Sequence, residues 1–168
     1  GNDAATAIAE YVGGSEEAFV NMMNRRAQEL MANGTHFMNP HGLHDDNHYT
    51  TAYDLYLIFN ECIKHEDFVN IIQSEAYTAH YTDVDGNSQE ALFTPTNLYA
   101  QGEVDVPENV TIIGGKTGTT DEAGYCLILM EKDSSDNPYI SIVMGASEKP
   151  VLYEDMTSLI EAIPSGQQ

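Results

Sequence analysis

A chain of 168 residues with 42% hydrophobic side chains is long enough to bury a core as one domain, and its size does not exclude an enzyme. Six basic residues against 27 acidic ones give a formal charge of −21, which argues against nucleic acid or anionic lipid as the main partner. That charge fits a soluble, self-repelling surface, and no apolar run is long enough to span a bilayer.

Residues 3–12 carry Ala4, Ala7, Ile8 and Tyr11 behind the capping candidates Asn2 and Asp3, and the Gly13-Gly14 pair stops this short helix. Ser15 caps a second helix with Glu16 and Glu17 in its first turn and Phe19, Met22, Met23, Ala27 and Leu30 on its apolar face; Asn33-Gly34 is expected to end it. The turn-rich segment 35–48 holds His36, His41, His44 and His48. It invites a metal reading, but Pro40 and Gly42 break the helical spacing that zinc ligands on a short segment use, and a structured loop is expected instead.

Thr51 with Asp54 forms a capping box for a third helix, whose expected buried stripe is Tyr53, Tyr56, Phe59, Cys62 and Ile63. A fourth, residues 67–73, turns Phe68, Ile71 and Ile72 inward. The period then changes to two. Residues 77–81 and 91–93 flank Asp85-Gly86, a hairpin signal, and Asn97 to Tyr99 reads as a helical turn. Three strands follow, beginning at Val110, Tyr125 and Tyr139, and a last helix over 151–163 shows Leu152, Met156, Leu159, Ile160 and Ile163 on one face. The layout is α+β: a helical part (1–75), a hairpin and loop (76–109), then a three-stranded antiparallel sheet covered by a C-terminal helix (110–163) within a single domain. Cys62 and Cys126 read as buried thiols rather than a disulfide.

The densest chemistry is Gly114-Gly115-Lys116-Thr117-Gly118-Thr119-Thr120, with Lys116 expected near the end of a strand. A phosphate-binding loop needs glycine at position 110, which is Val110, and a helix after the lysine, where turn and strand follow. The other reading is Lys-Thr-Gly on a strand edging an acyl-transfer site, where a lysine and hydroxyls bind a substrate carboxylate.

Followed by Asp121-Glu122-Ala123-Gly124-Tyr125-Cys126, this segment resembles the serine D-alanyl-D-alanine carboxypeptidases of the penicillin-binding-protein family. Gly1-Asn2-Asp3-Ala4-Ala5, Phe19 to Asn24, Thr35 to Leu43 and Thr51 to Leu55 extend the resemblance in the family's order over nearly the whole chain. It implies a partial β-lactamase/transpeptidase-like fold, a location outside the cytoplasm, no metal or other cofactor, and a peptidoglycan stem peptide ending in D-Ala-D-Ala as substrate. It makes Asn2 and Lys116 the catalytic residues present, and Lys116, Thr117, Gly118 and Thr119 the substrate-binding set. The Thr119 N–H is the implied second oxyanion donor.

One departure outweighs the matches. The residues three before Lys64, Lys116, Lys132 and Lys149 are Glu61, Ile113, Leu129 and Ala146, so no Ser-x-x-Lys is present. The chain therefore reads as the C-terminal portion of a catalytic domain, inactive alone, with β-lactams reacting only with the complete enzyme. An arginine some relatives place after the last strand is absent from Gly145-Ala146-Ser147, although Lys149 is close. The family's sheet order leaves the last strand with an open apolar edge, from which self-association is expected. A β-lactamase-related enzyme and a non-catalytic cell-wall binding or scaffolding domain are the alternatives.

Overall fold

The computed structural model describes residues 1–164. Four helices come first, α1 (Asn2–Gly13), α2 (Glu16–Glu29), α3 (Ala52–Cys62) and α4 (Glu66–Ile72), followed by an arm of β1 (Tyr77–Thr82) and β2 (Ser88–Phe93). A single turn, α5 (Leu98–Gln101), leads to β3 (Val110–Thr120), β4 (Gly124–Asp133) and β5 (Pro138–Ala146), and α6 (Lys149–Glu161) closes the order. The arm is a separate two-stranded sheet and β3-β4-β5 an antiparallel meander, so the architecture is α+β.

Local chemistry sets most boundaries. Ser15 Oγ accepts from the Ala18 N–H at 3.1 Å and Thr51 Oγ1 from the Asp54 N–H at 3.1 Å, capping α2 and α3. The reciprocal half of the α3 box is diverted: the buried Asp54 carboxylate accepts from Thr35 Oγ1 at 2.7 Å and ties the histidine loop to the helix. Several expected boundaries shift. The first helix starts at Asn2 with Gly1 as its N-cap, so Asn2 and Asp3 fall inside the first turn rather than capping it. The second ends at Glu29, four residues before Asn33, because Met31 adopts a left-handed φ of 64° and lets the Ala32 N–H reach the Ala27 carbonyl at 2.9 Å.

Both hairpins use one device. Asp83 and Asp133 each accept from backbone N–H groups two and four residues on, with a left-handed residue, Gly86 (φ 87°) or Asp136 (φ 65°), completing the turn. The Gln89 side chain holds the Asp83 carboxyl below its ordinary pKa, and the Asn137 side chain does the same for Asp133.

The buried core lies between the meander and α6. Leu127 and Leu129 alternate inward from β4 to meet Leu152, Tyr153, Met156 and Ile160. Pro150 in its first turn lets α6 begin at Lys149, two residues before the expected start, and Leu159 turns to solvent instead of joining the apolar face. The helical layer meets the sheet chiefly through α3 on β5 and α4 on β3. The expected α3 stripe is therefore only partly buried: Phe59 packs edge-to-face on Phe68 at 5.6 Å, but Tyr53 is 67% exposed, and Ile71 on α4 is 72% exposed rather than inward. Cys62 and Cys126 are unpaired, half-buried thiols. Among the described residues β5 has no strand on its outer side, and no helix is long and apolar enough to cross a membrane.

Candidate active site

The site is organised by a fault in one strand. Ile112 faces Glu131 across the β3–β4 ladder, but the register shifts between Ile112 and Gly114, so Gly114 meets Met130 and Lys116 meets Ile128. Directly opposed residues share a face, and an inserted residue reverses the alternation beyond it. Without the bulge Lys116 would point into the α6 core with Leu127 and Leu129. With it, Lys116 lies on the opposite face, while Thr117 and Thr119, opposed to Leu127 and Tyr125, lie on the α6 side. Lys116 also sits mid-strand rather than near a strand end, because the ladder continues to Thr120 opposite Gly124.

Gly114 lets the helical layer close on this strand. A Cβ there would stand 2.3 Å from the Ile72 carbonyl at the end of α4, so any side chain would push α4 off β3.

Two cavities flank the β3 edge. One, of about 390 Å³, is walled by Lys116, Thr117, Thr96, Gly1 and the apolar Ile72, Tyr77 and Phe93. The other, of about 240 Å³, is lined by Thr117, Thr119, Thr96, Tyr125, Lys149 and Tyr153. Thr96 and Thr117 belong to both, so the cavities meet along the strand. The Lys116 ammonium donates to the Thr117 carbonyl, and neither Lys116 nor Lys149 has a carboxylate within ion-pair distance among the described residues. Arg26, Lys64 and Lys132 are all paired with acids. Two uncommitted cations beside three threonine hydroxyls, in a chain of charge −21, make a local field suited to a carboxylate.

The expected residues are only partly brought together. Lys116, Thr117 and Thr119 line the paired cavities, Lys149 joins them, and a Cβ on Gly118 would meet nothing within 4 Å, leaving room for another backbone to approach. Gly1 reaches the Lys116 cavity, whereas Asn2 is exposed in the first turn of α1 and lies outside both walls. Thr96 carries no signal in the sequence beyond its place just before Asn97, the N-cap of α5.

The histidine loop is held by its own hydrogen bonds. His36 Nδ1 donates to the Asn47 carbonyl at 2.7 Å, and the Nδ1 atoms of His48 and His41 accept from the N–H groups of Met38 and Leu43 at 3.3 and 3.2 Å. Burial lowers the His48 pKa and favours the neutral ring. Among the described residues no three His, Cys, Asp or Glu side chains converge as metal ligands.

Comparison with known proteins identifies the family. The D-alanyl-D-alanine carboxypeptidase family matches residues 1–148. The chain is 34% identical over 161 residues to D-alanyl-D-alanine carboxypeptidase DacF of Bacillus subtilis, covering 96% of this chain and 39% of that protein. It is 31% identical over 160 residues to D-alanyl-D-alanine carboxypeptidase DacC of Escherichia coli, covering 95% and 36%. The crystal structure of the Streptomyces strain K15 DD-transpeptidase superposes with a TM-score of 0.84 at 26% identity, over 95% of this chain and 61% of that one. The chain thus spans about two fifths of the DacF length and less than two thirds of the solved relative. The extent of these matches places the chain in the D-alanyl-D-alanine carboxypeptidase family.

Proposed function

We propose that this chain supplies the carboxylate-binding wall of a serine-type D-alanyl-D-alanine carboxypeptidase, which removes the terminal D-alanine of peptidoglycan stem peptides through an acyl-serine intermediate. One observation carries the reading: the bulge before Gly114 sends Lys116 to one side of β3, the edge strand of its sheet among the described residues, and Thr117 and Thr119 to the other, where two cavities adjoin. A peptide laid along that edge would place its terminal carboxylate between the Lys116 ammonium and the threonine hydroxyls, with Lys149 as a second cation in place of the arginine some relatives carry. The Thr119 N–H is the candidate oxyanion donor. Asn2, next to Gly1 of the Lys116 cavity, would hydrogen-bond the substrate's peptide carbonyl or orient the catalytic lysine.

This sequence contains no Ser-x-x-Lys to supply the attacking pair. Oxyanion and binding groups without a nucleophile leave at most a residual acceleration, roughly 10³-fold by the serine protease precedent. On this reading the hydrolysis and the covalent reaction with β-lactams need a nucleophile that this sequence does not supply, and the expected location is the cell envelope. Incubation of the 168-residue chain with a labelled penicillin, followed by mass spectrometry, is expected to leave its mass unchanged. A covalent adduct would overturn the assignment.

The missing Ser-x-x-Lys also favours a second reading, a non-catalytic cell-wall binding domain. In the family Gly1-Asn2 match the end of a Ser-Gly-Asn element, so the two separate on the coding sequence before Gly1: Ser at the preceding position with Ser-x-x-Lys upstream supports the carboxypeptidase, and their absence supports the binding domain.

A further inference from the structure

Thr96 stands outside the Lys116–Thr119 strand yet lines both cavities, and its Oγ1 lies 2.5 Å from Thr117 Oγ1. The loop that carries it is pinned from either side. Gln101 Nε2 donates to the Pro95 carbonyl at 2.6 Å, the buried Asn97 side chain accepts from the Tyr99 N–H at 3.1 Å, and the Leu98 N–H donates to the Tyr153 hydroxyl at 3.0 Å. Thr96 is thus presented to β3 by contacts that reach α5 and α6.

A hydroxyl has one proton to give and two lone pairs to accept with. When the Thr96 O–H donates to Thr117 Oγ1, the Thr117 proton turns away from Thr96 and is available to a third group. Without that donor, the Thr117 hydroxyl and its χ1 sample their staggered positions.

We propose that Thr96 is a positioning residue of the carboxylate site, donating to Thr117 Oγ1 so that the Thr117 proton points at a carboxylate held beside Lys116. The proposal rests on the reading of Thr117 as a carboxylate contact, and two readouts keep the ideas apart. The first needs no ligand. Three-bond couplings to the Thr117 methyl are expected to report one χ1 rotamer in the wild type and Thr96→Ser, and rotamer averaging in Thr96→Val and Thr96→Ala. Because Thr96 is exposed, these variants are expected to melt with the wild type.

The second readout is titration with N-acetyl-D-alanyl-D-alanine. Thr96→Val is expected to raise Kd about fivefold, the worth of one oriented hydrogen bond, while Thr96→Ser stays within about twofold. In a Thr117→Val background, Thr96→Val is expected to add nothing. An unchanged Thr117 rotamer and Kd in Thr96→Val, or additive losses in the double variant, would overturn the proposal. If the wild type binds no dipeptide, the carboxylate reading falls, and the rotamer comparison alone then supports or overturns positioning by Thr96.

Discussion

Replacing Glu131 by glutamine is expected to change how stability varies with pH. Glu131 alternates inward from β4 on the Leu127–Leu129 face, is 0% exposed, and neither carboxylate oxygen has a hydrogen-bond partner. Burial is the dominant influence and lifts its pKa from 4.5 to about 7; Ser141 on β5 favours the charged form, yet no donor reaches bonding distance of either oxygen. At 1.36 kcal/mol for each tenfold change in proton affinity, that rise corresponds to roughly 3 kcal/mol favouring the protonated folded state.

The sign follows from linkage. The folded state holds this proton more tightly than the unfolded chain, so the contribution is fully present below pH 4.5 and is lost as pH rises to about 7. Asp83 and Asp133, whose pKa values are lowered, act oppositely and lose stability as pH falls. The difference between wild type and variant cancels them. Urea unfolding across this range is therefore expected to show Glu131→Gln gaining on the wild type by up to about 3 kcal/mol between acid and mildly alkaline pH. A buried amide carries its own desolvation cost, which is independent of pH, so the test is the slope and not the offset. Glu131→Met is expected to show the same slope. Parallel curves for wild type and both variants would refute the account of Glu131.

Other substitutions test separate parts of the structure. Thr51→Ala removes the α3 cap and is expected to cost about 1 kcal/mol in chemical unfolding; no measurable change would show that the Thr51–Asp54 contact does not cap the helix in solution. The strand β5, Pro138–Ala146, carries no charged residue and ends the sheet, so light scattering is expected to show concentration-dependent self-association that Ile142→Lys suppresses. A clean monomer at millimolar concentration would contradict that. Lys149→Ala is expected to weaken dipeptide binding by about threefold to tenfold with a flatter salt dependence, and an unchanged Kd would remove Lys149 from the site.

The elements that sequence disclosed best are those whose cause is local. Asp85-Gly86 announces its hairpin because only a residue tolerant of positive φ completes that turn, and Thr51 announces α3 because its hydroxyl satisfies a backbone N–H three residues on. Met31 shows where this fails: nothing about a methionine signals a left-handed helix end. Burial is less legible in the sequence than periodicity. Tyr53, Tyr56 and Ile71 hold helical spacing, but spacing says which residues share a face and not whether anything covers it.

In the site, Lys116, Thr117 and Thr119 were legible as a motif, whereas the faces they occupy depend on a bulge before Gly114 that the composition of the strand does not reveal. Glu131 was legible in principle, since period-two counting from Leu127 places it inward; an acid in a strand simply draws the eye outward. Thr96 depends on a long-range approach of 21 residues along the chain, and no local pattern encodes it.

The most direct measurement is titration of N-acetyl-D-alanyl-D-alanine into the isotopically labelled chain, following the amide resonances of Lys116 to Thr120. A saturable shift of these resonances that is lost in Lys116→Ala, with no release of D-alanine, is the predicted result. Absence of any shift at saturating dipeptide, or a shift that survives Lys116→Ala, would contradict a carboxylate-binding wall at this strand.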